Sequence, residues 1–313
     1  MDKKILSNIA LFFTALIWGV SFVAQKAGMD FVGPFSFNAA RSFLGGLSLI
    51  PVIFIAKLLT KDTRTKEIKH EQHKNLLKAG LACGGALFTA MTVQQCSMLH
   101  ATAGKDGFIS ALYIIYVPLI SILFGKKLTN NVKISVGLAL VGLYLLCFKP
   151  HSGGFGIYDI LLLISAFFYG VHILVVNHYS KFVNATKASC AQFFVVGLLS
   201  TPFMFIFENP TIQSLIDCRI PILYAGILTC GVAYTLQIVG QKYSTTPTIA
   251  SIILSLESVF AVVGGGIILH EVMTPKEILG CLFMISAVIL SQVKSNSKTH
   301  KGIPVFEKEE NCL

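Results

Sequence analysis

Residues 11–25, LFFTALIWGVSFVAQ, and residues 161–177, LLLISAFFYGVHILVVN, are two versions of one pattern. An offset of 151 lays Ala15 on Ala166, Trp18 on Tyr169 and Gly19 on Gly170, and further along it lays Gly46 on Gly197 and Pro51 on Pro202. At an offset of 146, GLACGGALFTA from Gly80 falls on GILTCGVAYTL from Gly226, pairing Gly85 with Gly231 and Thr89 with Thr235. At 145, Thr129 meets Thr274 and Ser135 meets Gly280. Matches that keep their order while the offset drifts slowly are the mark of an internal repeat.

Each copy is built of apolar runs long enough to cross a bilayer. Of the 313 residues 54% are hydrophobic and 13% charged, where a soluble domain carries roughly 25% charged. A hydrocarbon core of about 30 Å asks for about 20 apolar residues per helix. Ten such runs are expected, at 5–25, 34–57, 76–98, 103–124, 132–148, 157–177, 186–207, 220–240, 247–269 and 276–293. The fold class is therefore all-α and integral to the membrane. The short polar stretches between runs make neighbouring helices antiparallel hairpins, and the charged segment from Lys57 to Lys78 reads as the longest internal loop. Five spans is an odd number, so the second repeat enters the membrane upside down relative to the first. Inverted repeats of this kind recur in secondary transporters, with the substrate site near the midplane.

Lysine and arginine asymmetry orients the chain. With a cytoplasmic N-terminus, 19 basic residues fall on the inside and 5 on the outside, while Arg41 lies within span 2. The expected organisation is a first repeat at 1–148, an inverted second repeat at 149–293 and a polar cytoplasmic tail at 294–313. Both termini are then cytoplasmic, in a multi-pass protein of the cytoplasmic membrane. The net charge of +10 does not indicate nucleic acid, because the lysines sit in short loops between spans. The run from Ile5 follows a basic start but is longer than a signal-peptide core, and it reads as a retained first span. Eight cysteines without a C-x-x-C pair read as small hydrophobes in helices.

Further stretches complete a resemblance. They are Trp18-Gly19-Val20-Ser21-Phe22 on span 1, PFSFNAARSFLGG with Arg41 on span 2, ATAGKDGFISALYIIYVPL on span 4, and SLESVFAVVGGGIILHEVMTPKEILG on spans 9 and 10. Over residues 5–293 the chain resembles the EamA type of the bacterial drug/metabolite transporter superfamily. The resemblance implies ten helices in two five-helix repeats, a central cavity between spans 1–4 and 6–9, and spans 5 and 10 at the periphery. It also implies export or exchange of small metabolites, often amino acids or related compounds, by alternating access. Two positions depart from the pattern. Ser258 stands where a proline commonly follows the glutamate, which would soften the bend in span 9. Lys126-Lys127 replaces the acidic residue that often ends span 4, whereas Glu271 keeps it in the second repeat.

Polar side chains at membrane depth must face partners or a cavity, and ionisable ones are costly there. Glu257 lies alone in the apolar run of span 9 and either takes up a proton during transport, binds a substrate amino group, or fixes helix packing. Arg41, about two turns into span 2, either snorkels as an anchor or lines the substrate route. Lys105 and Asp106 begin span 4, as a solvated helix start or as a cation awaiting a carboxylate at the cavity mouth. Tyr113 and Tyr116 follow, and Pro118 is expected to bend the span. Tyr234, Gln237 and Gln241 recur at helical spacing on span 8, either lining the cavity or bonding between helices. Tyr169 and His172 on span 6 are the repeat mates of Trp18 and Ser21 on span 1. Gln94 and Gln192 are weaker candidates. Gly80-x-x-x-Gly84 and Gly264-Gly265-Gly266 favour close helix packing.

No spacing marks a catalytic nucleophile and base, a metal site or a nucleotide-binding loop, so no catalytic residue, metal or cofactor is expected. The expected partners are a small-molecule substrate and the lipid bilayer, with no nucleic acid. Proton coupling and a homodimer are compatible with this reading. A broad-range drug/metabolite efflux protein is the nearest alternative; an intramembrane enzyme or a sensor is the alternative of another class.

Overall fold

Helix starts fall where the sequence offers a capping side chain. The computed structural model describes residues 2–59, 65–100, 103–147, 156–244, 246–268 and 274–293, of which 103–105, 108, 147 and 264–268 are described by backbone alone. The first three spans are α1 (Lys3–Gly28), α2 (Pro34–Leu59) and α3 (Lys66–Met98). Asp2 caps α1 and Thr65 caps α3, each accepting a first-turn backbone N–H. The Glu208 carboxylate reaches the start of α2 and accepts from the N–H groups of Phe35 at 2.8 Å and Ser36 at 2.7 Å. A negative group there also meets the positive end of the helix dipole. Span 4 is split into α4 (Ala103–Ser110) and α5 (Tyr113–Leu123), and α6 (Asn130–Cys147) closes the first repeat.

The second repeat runs through α7 (Ile157–Tyr179) and α8 (Ala185–Phe207), followed by a short helix α9 (Ile212–Asp217). Span 8 is continuous from α10 (Arg219–Leu223) through a π-helical segment, Tyr224–Ala233, into α11 (Tyr234–Tyr243). Span 9 is again split, into α12 (Pro247–Leu254) and α13 (Glu257–Ile268), before α14 (Pro275–Gln292). Thr129 and Thr274, matched in the repeat, do the same job: each hydroxyl accepts the N–H three residues on, at Val132 and Glu277.

Among the described residues seven helices are long and apolar enough to cross a bilayer, and shorter apolar helices at Tyr113–Leu123, Asn130–Leu146 and Pro247–Val263 supply spans 4, 5 and 9. All regular structure among the described residues is helical, as expected of ten spans. Three features differ from the sequence reading. Helix α3 begins ten residues before the expected span, so the charged segment expected as a loop is in part a helical extension. Span 4 breaks at Ala111 and Leu112, six residues before Pro118, which sits inside α5. Span 9 breaks at Ser255 and Leu256 even without a proline after Glu257. Both breaks use tighter three-residue turns: Leu112 N–H donates to Ile109 and Leu256 N–H to Ile253, each at 3.1 Å. In span 9 the Ser251 and Ser255 hydroxyls turn back onto Thr248 and Ile252 carbonyls at 2.8 Å, a bond that bends helices.

The packing carries the inverted repeat into three dimensions. Helix α2 lies along its own mate α8, and α6 along its mate α14. Helix α3 packs on α7 and α8, while its mate, span 8, packs on α1 and α2. At the α2–α8 contact a methyl group on Gly46 would stand against the Phe194 ring, and one on Gly197 against the Phe43 ring. Thr14 donates to the Ala233 carbonyl at 3.1 Å, and Ser165, its counterpart 151 residues later, donates to the Ala90 carbonyl at 2.8 Å. Gly80 and Gly84 face Ala191 and Val195 on α8 closely enough that side chains there would clash. The outer surface keeps large apolar side chains exposed, among them Phe54, Leu58, Ile206 and Phe207, as a surface meeting lipid requires.

Candidate functional site

Helix α1 presents Trp18, Ser21, Phe22 and Gln25 along one face, spaced by three and four residues. That face borders a narrow cavity of about 40 Å³ between the repeats. Arg41 enters it from α2, Met91 and Gln94 from α3, Ser110 and Tyr113 from the two sides of the span 4 break, and Tyr169 from α7. Thr229, Tyr234 and Glu257 complete the wall. Among the described residues no lining residue comes from α6 or α14, which pack chiefly on each other.

The polar groups are chained together. Arg41 Nη1 donates to Gln25 Oε1 at 2.8 Å, Gln25 Nε2 to Ser21 Oγ at 3.3 Å, and Thr229 Oγ1 to the same Ser21 oxygen at 3.0 Å. Opposite, Tyr169 donates to Gln94 Oε1 at 2.6 Å and Gln94 Nε2 to Ser110 Oγ at 2.9 Å. The aromatic floor is Trp18 against Tyr234, with ring centres 4.8 Å apart.

Arg41 does not snorkel. It is only 2% exposed, its guanidinium lies 5.2 Å from the centre of the Phe37 ring, and its Nε and Nη2 have no partner among the described residues. Those two nitrogens form one planar edge of the guanidinium, the edge that grips a carboxylate with two parallel bonds. A buried cation with donors unmet is costly, and here its free edge belongs to a cavity-lining side chain. Glu257 sits in the same cavity and accepts from the Tyr113 hydroxyl at 2.8 Å. Glu257 and Tyr113 are the first residues of α13 and α5, the second halves of the two broken spans. The hydrogen bond thus ties equivalent points of the two repeats across the middle of the molecule.

Of the residues singled out in the sequence, Trp18, Ser21, Arg41, Tyr113, Tyr169, Tyr234 and Glu257 come together around this space. Tyr116, His172 and Gln237 do not. Tyr116 turns onto α7, where its ring meets Phe167 edge-on at 5.6 Å and its Cβ packs beside Gly170. His172 lies behind Tyr234, with Nε2 3.2 Å from Gln192 Oε1, and Gln237 is buried away from the cavity. The side chain of Lys105 and the whole of Glu271 lie outside the described residues. Asp106 is fully buried with neither oxygen partnered among the described residues, so it is not a solvated helix start.

Phe22, Gln25, Met91, Ser110 and Thr229 were not singled out. Gln25 was within reach, since it follows Ser21 by one turn on the same face. Thr229 was not, because a regular α-helix turns it away from Tyr234. The π-helical turn, which bonds residues five apart, restores both to one side.

Comparison with known proteins agrees with this architecture. The model of the EamA-like transporter family matches residues 5–148 and 156–292. The chain belongs to that family. A relative in Archaeoglobus fulgidus, an "Uncharacterized transporter", is 32% identical over 293 residues, covering 93% of this chain and 87% of its own. A second, the "Uncharacterized transporter YoaV" of Bacillus subtilis, is 25% identical over 301 residues, covering 93% and 97%. One solved crystal structure superposes with a TM-score of 0.74 at 15% identity, over 91% of this chain and 96% of the other. That likeness concerns the fold. The EamA-like protein described here is accordingly a multi-pass membrane transporter.

Proposed function

We propose that the protein exports or exchanges small zwitterionic metabolites, amino acids or close relatives, by alternating access across the cytoplasmic membrane, with both termini in the cytoplasm. The observation that carries this reading is the pairing, in one cavity, of the free guanidinium edge of Arg41 with the carboxyl group of Glu257. A substrate carboxylate would take the two open donors of Arg41. Its amino group would be received by Glu257, in exchange for or beside the Tyr113 hydroxyl. Trp18, Phe22 and Tyr234 supply apolar surface for the remainder of the substrate.

A volume of about 40 Å³ holds a few water molecules at about 10–15 Å³ each, so substrate entry requires the repeats to part. The interrupted spans α4/α5 and α12/α13 provide the places where they bend. Each turn of the cycle must release the Tyr113–Glu257 bond or carry it along, and Glu257 is the group available to take a proton if transport is proton-coupled.

The test is counterflow in proteoliposomes with a metabolite panel, amino acids first, each paired with its methyl ester and its analogue lacking the amino group. Free zwitterions should exchange and both partners of each pair should fail. Exchange of esters or amine-free analogues equal to that of the zwitterions would overturn the assignment of the two charged ends.

A further inference from the structure

The repeat offsets send residues of the open cavity to defined counterparts: Arg41 to Gln192, Ser21 to His172 and Met91 to Gln237. Of these counterparts, His172 and Gln192 meet beside Tyr234. His172 Nε2 is 3.2 Å from Gln192 Oε1, and the His172 and Tyr234 rings meet in a T-shaped arrangement with centres 5.8 Å apart. Gln237 and Gln241 follow Tyr234 by three and seven residues and so share its face of α11. The Gln241 amide donates to the Ile173 carbonyl at 2.9 Å, next to His172. All four side chains are at most 1% exposed.

Their hydrogen bonding is left incomplete. Gln192 Nε2, Gln241 Oε1 and both polar atoms of Gln237 have no partner among the described residues. A buried polar group without a partner weighs against the arrangement that buries it, and here four such atoms belong to side chains of α8 and α11, helices that pack on each other. A packed apolar seam would close this side more stably. The seam between α6 and α14 is of that kind, with Leu143 fully buried among apolar neighbours.

We infer that His172, Gln192, Gln237 and Gln241 form a second, uncharged polar half-site for the substrate, sealed in this structure and opened when the transporter turns to its other face. The inference rests on the alternating-access reading. It assigns the amides to the substrate's polar ends during passage, through neutral hydrogen bonds that hold it less firmly than Arg41 does. Tyr234 touches both half-sites, its ring centre 4.8 Å from that of Trp18 and 5.8 Å from that of His172.

Two variants of the full-length protein test this. Gln237→Leu keeps the side chain's size while removing both unmet groups, so it should favour the sealed state. Its melting temperature in detergent should rise by a few degrees, and counterflow should fall roughly tenfold or more as the opened state becomes rarer. Gln237→Cys should be alkylated by N-ethylmaleimide at least tenfold faster than Leu143→Cys, which is equally buried in a seam that stays shut. Peptide-level mass spectrometry resolves each site from the native cysteines. Equal labelling of the two variants, or a Gln237→Leu protein with undiminished exchange, would overturn the half-site. Fast labelling at position 237 in a protein that exchanges no zwitterion would uphold the opening and defeat the substrate assignment instead.

Discussion

Replacing Arg41 with lysine is the sharpest probe of the cavity. The native guanidinium spends one nitrogen, Nη1, on Gln25, and Nε and Nη2 have no partner among the described residues. A carboxylate docked on that edge receives two charge-assisted bonds, each contributing about 1.5–3 kcal/mol. Lysine keeps the charge but is a single point donor on a flexible stem. It must choose between Gln25 and the ligand, so at least one of the two bonds is lost. With every 1.4 kcal/mol a factor of ten, apparent affinity for carboxylate substrates should fall roughly 10- to 100-fold in Arg41→Lys. Trp18 is the single tryptophan of the chain and lines the cavity, so quenching of its fluorescence reports binding directly, with proteoliposome uptake as the second readout. Esters of the same compounds should be indifferent to the change. Equal affinities of wild-type and Arg41→Lys proteins across a panel of carboxylates would refute the reasoning, because both proteins carry the same charge at the same depth.

Glu257→Gln keeps the shape and can still accept from Tyr113; if Glu257 carries a proton, transport by this variant becomes independent of pH, and an unaltered pH profile would rule that role out. Tyr113→Phe removes the bond between the two broken spans, leaving a buried carboxyl oxygen without its donor, and should cost about 1–3 kcal/mol of stability, read as a lower melting temperature in detergent. Gly197→Val drives a side chain into the Phe43 ring and should destabilise by about 1–3 kcal/mol; its counterpart Gly46→Val, against Phe194, should behave alike, and a large difference between them would argue against equivalent contacts. Reporter fusions at either terminus should both map to the cytoplasmic side, and a split result would break the ten-span orientation.

Much of the site was legible because membrane burial makes polar side chains conspicuous. Arg41, Tyr113 and Glu257 stood out by type and depth alone, and Trp18 and Tyr169 by their repeat match. The cavity itself was harder to delimit where one helical face had to be chosen among several buried ones. Tyr116 and His172 lie on helices that border the cavity yet point into neighbouring helices. A sequence records that such a residue is buried, but the facing element decides what buries it.

By itself the sequence determined the solvent, the number of spans and the inverted relation of the halves. These follow from hydropathy, residue count and self-similarity, which are properties of the chain before it folds. The tertiary structure decided where the spans break, that span 8 contains a π-helical turn, and which polar residues meet. It joined Tyr113 to Glu257, positions 144 residues apart, and it left the edge of Arg41 unpartnered among the described residues. Such pairings depend on distances between helices from different repeats, which local propensity cannot encode and only packing of the two halves fixes.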